Sequence, residues 1–155
     1  MNKHLSALAG AALLCLSFAM PAHAGHGLEV APLASHQQEC GSCHVPYAPG
    51  LLPAASWQRI MGNLHKHFGT DASLDAATTR EISAWLQAHA GSGRRGGEEP
   101  PQDRISKAQW FVRQHDEVSA SVWKRASVGG PFNCSACHAQ AAKGNFNEHQ
   151  VHIPK

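Results

Sequence analysis

The chain has 155 residues, with 13 Lys and Arg against 11 Asp and Glu, for a formal charge of +2. That near balance carries no basic footprint for nucleic acid and excludes no partner by gross repulsion. The length suits one small domain or two modest lobes.

The chain opens with Lys3, an apolar run over residues 5–20 and the small-residue pattern Ala22-His23-Ala24. This reads as a secretory signal covering residues 1–24, with cleavage after Ala24 and a periplasmic destination. The apolar run falls short of the ~20 residues that span a bilayer, and no later stretch approaches that length. No transmembrane segment is therefore expected in the mature chain. Cys15 lies inside the apolar run behind Leu14, where a lipoprotein signal needs a small residue, so it leaves with the signal.

Apolar spacing near 3.6 recurs along the rest and β-branched alternation does not, so the fold class is all-α. A short helix is expected over residues 33–44. Tyr47-Ala48-Pro49-Gly50 then turns the chain. Pro53 opens a second helix reaching Phe68, its apolar stripe formed by Trp57, Ile60, Met61, Leu64 and Phe68, with Gly69 as its stop. A third helix, capped near Asp75, runs to about Ala90 with Ile82, Trp85, Leu86 and His89 on one face. Residues 91–103 are rich in Gly, Pro and charge and hold no large apolar side chain, which reads as a flexible linker. It separates an N-terminal lobe (25–90) from a C-terminal lobe (104–155), though 25–155 can also form one domain. Ser106 and Gln109 suggest a capping box for a fourth helix holding Trp110, Phe111, His115 and Val118. A fifth, over residues 134–143, ends at Gly144.

Cys40-Gly-Ser-Cys43-His44 and Cys134-Ser-Ala-Cys137-His138 each match the C-x-x-C-H pattern of c-type haem attachment. Two thiols three residues apart on a helical turn can each form a thioether with one haem vinyl, and the adjacent His then faces the iron. Two disulfides or a four-thiolate zinc site would use the same cysteines. Neither explains a histidine directly after both pairs. A thioredoxin-type motif lacks its strand and helix context. Two haem c groups are the expected cofactors. At about fifty residues the C-terminal lobe is too small for a sufficient core, so the haems are expected to supply much of it.

Of three methionines, Met1 and Met20 leave with the signal and Met61 remains; of twelve histidines, His4 and His23 leave and ten remain. At least one haem therefore cannot be ligated by His and Met. On an ideal helix, at ~100° per residue, His65 and His67 lie on opposite flanks of the stripe and periodicity does not separate them. His89 centres its apolar face, and His115 shares a face with Phe111 one turn earlier. His26, His36, His149 and His152 read as solvated. The four tryptophans read as packing around the haems.

The run CGSCHVPYAPGLLPAASW, then HFG at His67–Gly69, RIS, WFVRQH ending at His115, and NCSACHAQAAKG, resembles the small dihaem cytochrome c family. The resemblance covers most of the mature chain. It implies a small helical protein with two haem-bearing lobes, both haems bis-His, with His67 and His115 as the distal iron ligands beside His44 and His138. It also implies electron exchange with other redox proteins, such as a membrane b-type cytochrome or another soluble haem protein. Consecutive elements usually lie together, which favours His67 for the first haem and His115 for the second. The competing class is a haem protein binding oxygen, nitric oxide or carbon monoxide at an open site. A dihaem peroxidase is disfavoured, because Asp71, Asp75, Glu81, Asp116 and Glu117 read as caps and solvated faces rather than a catalytic set.

Overall fold

The computed structural model describes residues 30–155. The export segment, its cleavage site, Cys15 and His26 lie outside these residues. The described residues form six short α-helices and seven 3-10 turns, with two isolated β-bridges and no strand. Among them no helix is long and apolar enough to cross a membrane.

The first helix, α1, covers Ala34–Gly41 and stops short of its expected end, so Cys43 and His44 lie in the turn after it. The second, α2, covers Ala54–Met61, with Pro53 as its extended N-cap. It ends at Gly62 instead of continuing to Phe68. Beyond it Asn63 leaves helical geometry, and a 3-10 turn covers Leu64–Lys66. The Ala72 amide donates back to the Leu64 carbonyl at 2.9 Å, which folds this segment on itself. Phe68 (φ 50°) and Gly69 (φ 104°) then turn the chain through the left-handed region. Glycine enters it freely and phenylalanine does so at a cost.

Asp75 caps α3 (Ala76–Ala88) as expected, its carboxylate accepting from the amides of Ala77 at 2.9 Å and Thr78 at 3.0 Å. Ile82 and Leu86 on α3 pack against Leu52 and against Trp57 and Met61 of α2, forming the main core. Each fully buried aliphatic side chain there contributes about 1.5–3 kcal/mol. The Trp57 indole N–H donates to the Pro49 carbonyl at 2.7 Å, so the ring is anchored inside this core.

Residues 91–103, expected as a flexible linker, lie packed along the N-terminal lobe. They include α4 (Gly93–Gly96) and a 3-10 turn at Pro101–Asp103. The Gly91 amide donates to the Leu52 carbonyl at 2.8 Å. A Cβ on Gly91 or Gly96 would collide with the Gly50 carbonyl, and one on Gly91 would lie 2.5 Å from the Gly96 Cα. The Arg59 guanidinium reaches Asp103 at 2.6 Å and Glu99 at 2.7 Å. The glycines therefore permit backbone contact, and two of the acids answer a cation on α2.

The Ser106–Gln109 capping box does not form, because Ile105–Lys107 is a 3-10 turn and α5 (Gln109–Gln114) begins after Ala108. Glu98 from the packed segment caps this helix instead, accepting the Gln109 amide at 3.1 Å. Helix α5 closes at His115, leaving Val118 outside, and a further short helix, α6, covers Ala120–Trp123. The expected helix over 134–143 is two 3-10 turns, Cys134–Ala136 and Ala141–Lys143, ended by left-handed Gly144. Ala108, Phe111, Val128 and Ala141 are the buried apolar residues of this lobe, a thin core dominated by small side chains.

Candidate metal centres

Two sets of residues come together, one in each half of the chain. In the first, the end of α1 delivers Cys40, Cys43 and His44. The His44 Nδ1 donates to the Val45 carbonyl at 2.7 Å. Since a carbonyl can only accept, Nδ1 carries a proton, and in the neutral ring Nε2 presents the lone pair. His67, closing the Leu64–Lys66 turn, lies opposite, with ring centroids 6.1 Å apart and planes 20° apart. Burial first, then the charges of His44 and Arg104, lower the His67 pKa and favour the neutral imidazole that a metal needs.

In the second set, Cys134, Cys137 and His138 occupy the turn near the chain's end, and His115 closes α5. The His115–His138 centroids are 6.2 Å apart with planes at 79°. The His115 Nδ1 donates to the Phe111 carbonyl at 2.8 Å, so in the neutral ring the lone pair again lies on Nε2. The Phe111 ring stacks on His115 at 4.0 Å, and Trp123 lies 5.8 Å away. Burial, then His115, lowers the His138 pKa.

These spacings test whether two haem irons fit. Imidazole nitrogens about 2 Å from a shared metal ion, on opposite sides, put ring centroids roughly 6 Å apart. Both pairs meet that condition. The four described cysteines form no disulfide. Burial pushes the Cys40 thiol up to about 11 and raises Cys134 and Cys137, keeping S–H groups that can add across a vinyl bond.

The remaining candidates lie elsewhere. His65 is exposed on the Leu64–Lys66 turn. His89 is also exposed, ending α3 edge-on to Trp85 at 5.8 Å, so the centre of the apolar stripe belongs to Ile82 and Leu86 instead. Met61 is buried in the α2–α3 core. His36, expected as solvated, is 3% exposed, because its face of α1 rests on α3 with the ring 4.9 Å from Trp85. Its Nδ1 has no hydrogen-bond partner among the described residues. His149 and His152 are exposed as expected, although the His152 amide donates to the Cys137 carbonyl at 3.0 Å. Of the tryptophans, Trp110 and Trp123 neighbour the second pair through Phe111, whereas Trp57 belongs to the protein core.

Sequence reasoning missed Tyr47, which was read only as part of a turn. Its ring lies 4.9 Å from that of His44 with planes 23° apart, and its hydroxyl donates to the Phe132 carbonyl. An aromatic three residues after the His of a Cys-x-x-Cys-His motif is the available signal.

Short helices around two Cys-x-x-Cys-His turns, each facing a second histidine, define the chain as a c-type cytochrome with two haem c groups. Residues 36–146 match the family model described as dihaem cytochrome c. The chain belongs to the dihaem cytochrome c family, whose role is electron transfer by haem. It is similar to the X-ray structure of a diheme cytochrome type c from Shewanella baltica OS155. The identity is 41% with a TM-score of 0.69, over 78% of this chain and 92% of that one. It is also similar to DHC purified from Rhodobacter sphaeroides, at 40% identity and TM-score 0.66, over 76% of this chain and 100% of that one. No curated protein matches at a significant level.

Proposed function

We propose that this protein is an exported, periplasmic single-electron carrier whose two irons are each held between two histidines, His44 with His67 and His115 with His138. The observation that carries this reading is the centroid spacing of 6.1 and 6.2 Å in the two pairs. Supporting it, a backbone carbonyl fixes the tautomer of one member of each pair, and the single mature methionine is occupied in the core. The bound haem supplies a reversible one-electron ferric/ferrous couple. Imidazole on both faces favours the ferric state relative to His/Met, so moderately low potentials are expected. Cys40, Cys43, Cys134 and Cys137 retain the groups covalently, and Phe111, Trp123 and Tyr47 wall the ligand rings. Redox protein partners, such as a membrane b-type cytochrome or a soluble haem protein, would dock through small transient interfaces.

The test is absorption and electron paramagnetic resonance of the ferric and ferrous holoprotein, with and without carbon monoxide. Two low-spin haems inert to the gas are expected. A high-spin component that takes up the gas in the unaltered protein overturns the closed-site reading in favour of ligand binding. His67→Ala and His115→Ala should each turn one haem high-spin, while His65→Ala and His89→Ala leave both low-spin.

A further inference from the structure

Tyr47 touches both halves of the chain. Its ring lies at 4.9 Å and 23° from that of His44, the ligand in the first motif. Its hydroxyl donates to the carbonyl of Phe132, two residues before Cys134. A single half-buried side chain thus connects the proximal ligand of one centre to the backbone that leads into the attachment turn of the other.

The surroundings restrict what this side chain can do. The second motif sits in a lobe with a thin core, on a 3-10 turn rather than a regular helix. Such a turn has little internal rigidity and depends on external anchors. The Asn133 side chain donates to the Val128 carbonyl at 2.9 Å, and the His152 amide donates to Cys137. Both anchors belong to the C-terminal half, so neither fixes the motif relative to the first one. Tyr47 does.

We propose that Tyr47 is the positioning residue for electron exchange between the two haems, holding the second attachment turn against the ring of His44. This rests on the reading of the protein as a two-haem electron carrier. In the exchange one electron passes between the irons, so that one is oxidised as the other is reduced. No proton passes through Tyr47, because the carbonyl that receives its hydrogen bond cannot take a proton from a phenol. The side chain sets distance and orientation and is not itself a redox site.

The experiment compares the holoprotein with its Tyr47→Phe and Tyr47→Leu variants. Three quantities are read: haem spin state, the distance distribution between the two ferric irons from pulsed dipolar spectroscopy, and the interhaem exchange rate after photoreduction. The Phe variant keeps the ring and loses the hydroxyl. It should broaden the distance distribution and slow exchange severalfold, with both haems still low-spin. The Leu variant should slow exchange about tenfold or more. An unchanged distribution and rate in the Phe variant with intact spectra overturns the proposal, whether or not the Leu variant assembles. A high-spin haem in the unaltered protein would instead defeat the electron-carrier reading, so the two failures are distinguishable.

Discussion

His36 makes the stability of this protein depend on pH in a way that can be isolated. Its imidazole is 3% exposed, and burial, followed by the charge of His44, lowers its pKa from the ordinary 6.5 to about 4. Between those values the unfolded chain binds a proton at this site that the folded chain refuses. The contribution is therefore complete above pH 6.5 and drains away as the pH falls towards 4. Linkage over that gap gives a loss of about 2 kcal/mol between pH ~7.5 and pH ~5, approaching ~3 kcal/mol in stronger acid. His36→Leu keeps an apolar group of similar size beside Trp85 and removes the proton site. Urea unfolding followed by tryptophan fluorescence, which covalent haem quenches in the folded state, measures both proteins at the two pH values. Other histidines titrate in both chains and cancel in the difference. The variant should lose about 2 kcal/mol less than the parent on acidification. Parallel losses would refute the reasoning, because they would mean that His36 protonates in the folded state without penalty.

Three further outcomes follow from the packing. Gly96→Ala would place a Cβ against the Gly50 carbonyl and 2.6 Å from the Gly91 Cα; it should destabilise the protein by about 1–3 kcal/mol in a urea melt without altering the haem spectrum. Cys134→Ala with Cys137→Ala removes covalent retention from the lobe with the thinner core; hydrogen exchange should show protection lost over residues 104–155 while α2 and α3 stay protected. Arg59→Ala removes the guanidinium bridging Glu99 and Asp103, and limited proteolysis should then cut within residues 91–103, with the spectrum unchanged.

The parts of this fold that were legible in the sequence are those decided within a few residues. Asp75 caps α3 through amides two and three residues away, and Gly144 stops the Ala141–Lys143 turn by entering left-handed geometry. The two Cys-x-x-Cys-His turns are local in the same sense. What sequence pattern misplaced was decided by distant partners. The tie between His65 and His67 assumed a helix through residue 68, but α2 ends at Met61, so their angular positions on an ideal helix have no meaning. The pattern at Ser106 suggests a cap, whereas Glu98, eleven residues upstream of Gln109, does the capping. Residues 91–103 looked flexible because their glycines and charges have no local use; their contacts are with Gly50, Leu52 and Arg59. His36 looked solvated because nothing near it in the sequence reveals Trp85, which closes over it from α3.

The ring planes of the two histidine pairs differ, 20° for His44 with His67 and 79° for His115 with His138. Near-parallel imidazoles donate π density along one direction and split the iron orbitals that receive it; crossed rings leave those orbitals closer to degenerate. With the ligation proposed above, two centres each bearing a pair of histidines would be electronically unlike. The first would give a rhombic ferric resonance and the second a strongly anisotropic one, so that each could be followed separately during a single turnover. The two haems can thus be made unlike by ring orientation alone, with one ring of each pair held by a backbone carbonyl, Val45 for His44 and Phe111 for His115, and no change of ligand type.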